Sequence, residues 1–145
     1  MIEVKFKEDD HGNLLSFEIT GHAGYGVAGE DIICAAVSVL AIETVNSVER
    51  LAGYQMLVDE ADDEGGYLYA EILSEREAEQ QYITQILLKH LFYSLEDVAQ
   101  TYPDYVTIKM QSKRYSLIRR CKQHVEIEST IVRPQKRGRI YYQRT

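Results

Sequence analysis

The chain has 145 residues, of which 45% are apolar and 27% charged. This balance fits one folded domain with a sizeable core. Its two cysteines, Cys34 and Cys121, are too few for a disulfide framework, and no unbroken apolar run approaches the roughly 20 residues that cross a bilayer. The net charge of −7 hides a break: residues 1–111 hold 6 Lys and Arg against 21 Asp and Glu, whereas residues 112–145 hold 10 against 2. An acidic body thus carries a basic tail.

Ile2, Val4 and Phe6 alternate with Glu3, Lys5 and Lys7, the period of a half-buried strand. Asp10-His11-Gly12-Asn13 supplies turn chemistry, and Leu15, Phe17 and Ile19 resume the alternation, so a hairpin is predicted. This N-terminus lacks the continuous apolar centre of a secretion signal, and an intracellular setting is expected. A loop then carries Gly21, Gly24, Gly26 and Gly29 within nine residues, with His22 at its start and Tyr25 inside it.

Glu30-Asp31 introduces a helix that is apolar on nearly every face through Ile42 and amphipathic through Val45, Val48, Leu51 and Ala52. Such a surround implies burial on more than one side: a sheet covers one, and a loop or a second subunit must cover the rest. Gly53 sits where a helix C-terminus favours positive φ. Residues 55–60 and 67–73 flank an acidic turn, Ala61 to Gly66, and read as a second hairpin. Ser74-Glu75-Arg76-Glu77 reads as a capping box with Ser74 as N-cap. The helix it opens is expected to bury Ile83, Ile86, Leu87, Leu91, Leu95 and Val98 and to stop before Pro103. Tyr105 to Met110 alternates as a last strand. The order ββαββαβ predicts an α+β fold, one antiparallel or mixed sheet with two long helices packed on it.

Composition breaks at Gln111. Residues 112–145 concentrate Lys113, Arg114, Arg119, Arg120 and Lys122, then Arg133, Lys136, Arg137, Arg139 and Arg144, without a long apolar face. They read as a solvated, weakly docked basic extension, and the rival reading is a nucleic-acid arm.

Chemistry concentrates around the glycine loop. With Asp31 as N-cap, Cys34 falls in the first helical turn, where the helix dipole and free amides favour a thiolate. Its neighbours Ile33, Ala35 and Ala36 equally suit a small buried hydrophobe, so the residue features leave core cysteine and nucleophile both open. A lone histidine after a strand is more often a surface or packing residue than a base. Four loop glycines have a large ordering entropy, however, and close approach to a substrate, or opening and shutting over one, would offset it. His22 folding back onto Cys34 would make a nucleophile–base pair. Ser38, one turn beyond Cys34, shares its face, with return of its hydroxyl to the Cys34 carbonyl as the ordinary alternative. A phosphate cradle is disfavoured, because the Gly-Lys-Ser/Thr ending is missing and Glu30-Asp31 would repel an anion. His11, His22, His90 and His124 show no zinc spacing, and neither metal nor cofactor is expected.

Gly21-His22-Ala23, the loop through Gly24, Tyr25 and Gly26, and Gly29-Glu30-Asp31-Ile32-Ile33-Cys34-Ala35-Ala36-Val37-Ser38 together resemble the signature of the bacterial ribosomal-processing cysteine protease family (Prp, YsxB-like). Eleven residues separate His from Cys, with Asp and Ser at fixed offsets. The resemblance spans residues 1–111 as a protease domain. It implies Cys34 as nucleophile, His22 as base, and Gly21, Asp31 and Ser38 as supporting residues. It further implies a cytoplasmic homodimer that removes a short apolar N-terminal extension from a large-subunit ribosomal protein, with no membrane partner. Family members end near position 111, so the basic tail departs from the pattern. The competing hypothesis is a non-enzymatic ribosome-assembly or RNA-binding factor acting through that tail.

Overall fold

The computed structural model describes residues 1–21, 30–60 and 66–112, with only the backbone of Glu30 and Asp31. His22, Ala23, Gly24, Tyr25, Gly26 and Gly29, the turn residues 61–65, and the tail from Lys113 with Cys121 lie outside the described residues.

Strands β1 (Ile2–Glu8) and β2 (Leu14–Thr20) form the expected hairpin, with Val4 opposite Ile19 and Phe6 opposite Phe17. An irregularity at Lys7/Glu8 breaks the alternation, so Leu14 and Ser16 are buried while Leu15 is only partly so. Helix α1 (Glu30–Ser47) follows and continues into a π-helical turn, Val48–Ala52. Gly53 ends it in the left-handed conformation (φ 76°) and donates its N–H to the Glu49 carbonyl at 3.1 Å. Strands β3 (Leu57–Glu60) and β4 (Tyr67–Glu71) make the second hairpin, α2 (Ala78–Thr101) crosses back, and β5 (Val106–Ser112) closes the order.

The sheet runs β3-β4-β2-β1-β5, antiparallel throughout except for β5, which lies parallel to β1. It is therefore mixed, as the α+β reading allows. The helices pack against each other and share one buried cluster with the strands, centred on Phe6, Phe17, Leu88, Leu91 and Leu95. Phe92 meets Phe6 edge to face, centroids 5.2 Å apart.

Three expectations need correction. Helix α2 starts at Ala78, capped by Glu77 with Gln80 rather than by Ser74 with Glu77. Ile72 is buried and its N–H bonds to the Leu15 carbonyl at 3.0 Å, so the chain is still held to the sheet when Ser74 is reached and turns only afterwards. The buried stripe of α2 is also rotated: Ile86 is 51% exposed, Ile83, Leu87 and Val98 are partly buried, and Thr84, Gln85, Leu88, Leu91 and Leu95 face inward. Polar residues hold that face because they have partners. The Gln85 amide donates to the Leu14 carbonyl and accepts from the Leu14 N–H, both at 2.8 Å, and Thr84 Oγ1 donates to the Gln80 carbonyl at 2.7 Å with Tyr54 Oη 3.0 Å away. Finally, the 21 residues Ile32–Ala52 are long and apolar enough to cross a membrane by length and composition. Glu43, Glu49 and Arg50 interrupt the run, which is why a search for an unbroken stretch passes over it.

Gln85 substitutes for a neighbouring strand at the start of β2. Gln85→Ala strands a buried donor and a buried acceptor and is expected to lower the unfolding free energy by about 2–4 kcal/mol. Denaturant unfolding of the two proteins checks this.

Candidate active site

β2 ends at Thr20, paired with Tyr67 of β4. Gly21 immediately beyond donates its N–H to the Gly66 carbonyl at 3.0 Å. Its φ of 106° is in the region L side chains rarely adopt, and a Cβ there would lie 2.2 Å from the Met1 carbonyl oxygen. Only glycine fits this position, which launches the chain toward His22.

Facing this junction is α1. Its buried stripe, Ile33, Val37, Ala41, Thr44 and Val48, seats it on the core and leaves Cys34 half-buried beside the sheet ends. Cys34, Val37, Ser38 and Ile42 form one wall of a cavity of about 280 Å³. Gly21, Gly66, Tyr67 and Leu68 line it opposite, with Ile2 and Ile19 on the remaining side. Among the described residues, Glu60, at the end of β3, is the one charged side chain in the lining.

The structure thus brings Cys34, Ser38 and Gly21 to one cavity, whereas His22 lies outside the described residues. Ser38 is exposed, and its hydroxyl makes no hydrogen bond among the described residues. The return to the carbonyl one turn back, which Thr44, Thr84 and Thr101 all make, is not taken. Asp31 is not the helix cap: α1 begins at Glu30, so Asp31 is its second residue and Cys34 its fifth. Two successive carboxylates both suit the positive end of a helix, and the helix takes both into its first turn. A helical side chain leans toward the N-terminus, so Cys34 still covers that turn. Among the described residues, no three His, Cys, Asp or Glu gather closely enough to hold a metal ion.

Sequence reasoning missed Glu60, Tyr67, Leu68, Ile2 and Ile19 as lining. The available signal was a glycine flanking each of two strands, Gly21 after β2 and Gly66 before β4, where two chain segments approach closely.

A nucleophilic residue type, an unbonded hydroxyl and apolar walls suit covalent attack on a peptide carbonyl. The family model for cysteine protease Prp matches residues 1–107. The chain belongs to the Prp family of cysteine proteases. The ribosomal processing cysteine protease Prp of Bacillus subtilis (strain 168) is 36% identical over 104 residues, 72% of this chain and 92% of that relative. Among solved structures, SMU.848 from Streptococcus mutans superposes with a TM-score of 0.69 at 34% identity, covering 78% of this chain and 96% of its own. Prp from S. aureus, an essential ribosomal processing protease crystallised with a covalently linked product peptide, gives a TM-score of 0.66 at 25% identity, covering 77% of this chain and all 100% of its own. Like its Prp relatives, this protein is a cysteine protease, and that sets aside a purely non-enzymatic factor.

Gly21→Ala and Gly12→Ala form a controlled pair. Both glycines have positive φ, 106° and 78°, but an added Cβ at Gly12 meets nothing within 4 Å. The Gly21 variant is expected to lose about 1–3 kcal/mol of stability, clearly more than the Gly12 variant, and to lose proteolysis with it. Thermal unfolding and peptide cleavage read the two effects.

Proposed function

We propose that the protein removes a short apolar N-terminal extension from a large-subunit ribosomal protein, with Cys34 as nucleophile and His22 as its base. The observation that carries this reading is Cys34 standing beside Ser38 in an apolar-walled cavity at the exit of β2, from which the chain runs directly into His22. The names of the relatives as ribosomal processing proteases support the substrate class, and the covalently linked product in the S. aureus relative supports a covalent route.

Cys34 Sγ attacks the scissile carbonyl carbon while His22 accepts the thiol proton. The tetrahedral intermediate collapses to a thioester, the C–N bond breaks, and His22 returns the proton to the leaving amine. Water then adds to the thioester, with His22 again as base, releasing the new carboxyl terminus and restoring the thiol. Amides of the first turn of α1 have no intrahelical acceptors and serve as oxyanion donors, each worth on the order of 3 kcal/mol when aligned. The Ser38 hydroxyl is placed to bond a substrate carbonyl. Gly21 supports the loop that presents His22, and Ala23, Gly24, Tyr25, Gly26 and Gly29 act as the substrate loop. Asp31 contributes negative charge to the helix start.

The working form is a cytoplasmic homodimer. Opposite the buried stripe of α1, Ile32, Ala35, Ala36, Val39 and Ile42 recur at helical spacing and are exposed, Val39 by 59%. An apolar stripe this long favours a second copy as its cover. The basic tail, with 10 Lys and Arg against 2 acids in residues 112–145, favours contact with ribosomal RNA.

Cys34→Ala abolishes cleavage of a peptide bearing an apolar extension while the circular dichroism spectrum is unchanged, and His22→Ala lowers kcat/KM by about 10²–10⁴-fold. Undiminished cleavage by either variant would refute the corresponding role. Val39→Asp shifts sedimentation from dimer to monomer; a parent protein that sediments as a monomer at every concentration ends the dimer reading.

A further inference from the structure

Strand β3 connects two cavities. Among the described residues it is the sheet edge, paired only with β4, and all four of its residues are exposed, Leu57 by 57%. An edge strand directs alternate N–H and C=O groups away from the sheet, where an extended chain can pair with them. Its last residue, Glu60, lines the cavity of Cys34. Its first, Leu57, lines a second cavity together with Leu15, Ile72, Glu71 and Arg76.

In that second cavity two nitrogens of the Arg76 guanidinium, Nε and Nη1, are buried and have no hydrogen-bond partner among the described residues. Buried donors of a charged group left unpaired are costly, and native structures supply an acceptor for nearly all of them. Glu71 does not fill the role, because its Oε2 accepts the Tyr69 hydroxyl at 2.8 Å and no ion pair joins it to Arg76 among the described residues. With a carboxylate beside the guanidinium the cavity is close to neutral. That balance favours an uncharged oxygen acceptor over a free anion, and Leu15, Leu57 and Ile72 supply walls for an apolar side chain.

We propose that β3 is a docking strand for the substrate: the polypeptide flanking the scissile bond pairs along Leu57–Glu60 and places a backbone carbonyl oxygen on the free nitrogens of Arg76. The inference rests on the reading of Cys34 as the nucleophile. Three residue steps of about 3.3 Å separate Leu57 from Glu60, roughly 10 Å. The Arg76 subsite therefore lies at least about three residues from the bond that is cut.

Two peptides test this, a short one covering the scissile residues and their nearest neighbours, and a long one extended by about six residues on each side. In Arg76→Ala the ratio of long-peptide to short-peptide kcat/KM falls about tenfold or more, mainly through KM, and Arg76→Lys restores part of it. Within the long peptide, N-methylation of single amides removes the donors of an added strand and weakens binding at alternate positions only. That scan reads the docking strand even where an Arg76 variant folds poorly. A ratio within about twofold of the parent's, or an N-methyl scan with no alternation, overturns the docking strand while short-peptide cleavage leaves the Cys34 reading standing. Cleavage of neither peptide by the parent protein removes both.

Discussion

Gly21 is where three parts of the chain converge. Its N–H ties the end of β2 to Gly66 at the start of β4, and the Met1 carbonyl occupies the space a side chain would need. The N-terminus, the first hairpin and the second hairpin are thereby locked together at the cavity whose lining includes Cys34. Everything that gives the cavity its shape depends on this crossing. Ile2 and Ile19 line it because β1 and β2 are in register up to the glycine, and Tyr67 and Leu68 line it because β4 is pinned to β2 one residue earlier. The cost of positive φ at one residue is small for glycine and large for any other, so a single position fixes the closed side of the site.

The fold was legible in the sequence wherever one pattern governed a whole segment. Period-two alternation located β1, most of β2 and β5, and Gly53 ended the first helix as its conformational freedom implies. Reading failed where a polar residue had a hidden partner. Nothing local marks Gln85 as a buried residue, since its acceptor and donor are both on Leu14, 71 residues away in sequence. Counting only apolar positions therefore rotated the inward face of α2 toward Ile86. The cap at Ser74 failed for a related reason: two overlapping capping boxes exist, and the bond holding Ile72 to Leu15 selects the later one.

The site was legible by halves. Cys34 and Ser38 are four residues apart on one helix, and their common face follows from helical geometry alone. The opposite wall comes from strand ends far apart in sequence, and no local pattern joins Glu60, Tyr67 and Ile2 to a cysteine on α1. The same holds for Arg76. In the sequence it is one charge inside a helix-start motif, and only the fold shows it lining a cavity with Leu15, Leu57 and Ile72, with two nitrogens buried and unpartnered among the described residues.

Helix α1 also shows why apolar content alone misleads. One stripe, from Ile33 to Val48, anchors the helix to the core, and the opposite stripe, from Ile32 to Ile42, faces outward. A helix built this way is apolar enough by length and composition for a bilayer, yet Glu43, Glu49 and Arg50 fall in its second half and not in the half that carries Cys34. The charge-free part is the part beside the cavity. In the proposed reaction, an apolar surround there lowers the local dielectric around the scissile carbonyl and strengthens each backbone dipole aimed at it. The residues that make the first three turns read as a buried or membrane segment, Val37 and Ile42 among them, are thus the ones that wall the cavity, while the acidic residues Glu30 and Asp31 are confined to the helix start, the end where the macrodipole favours negative charge.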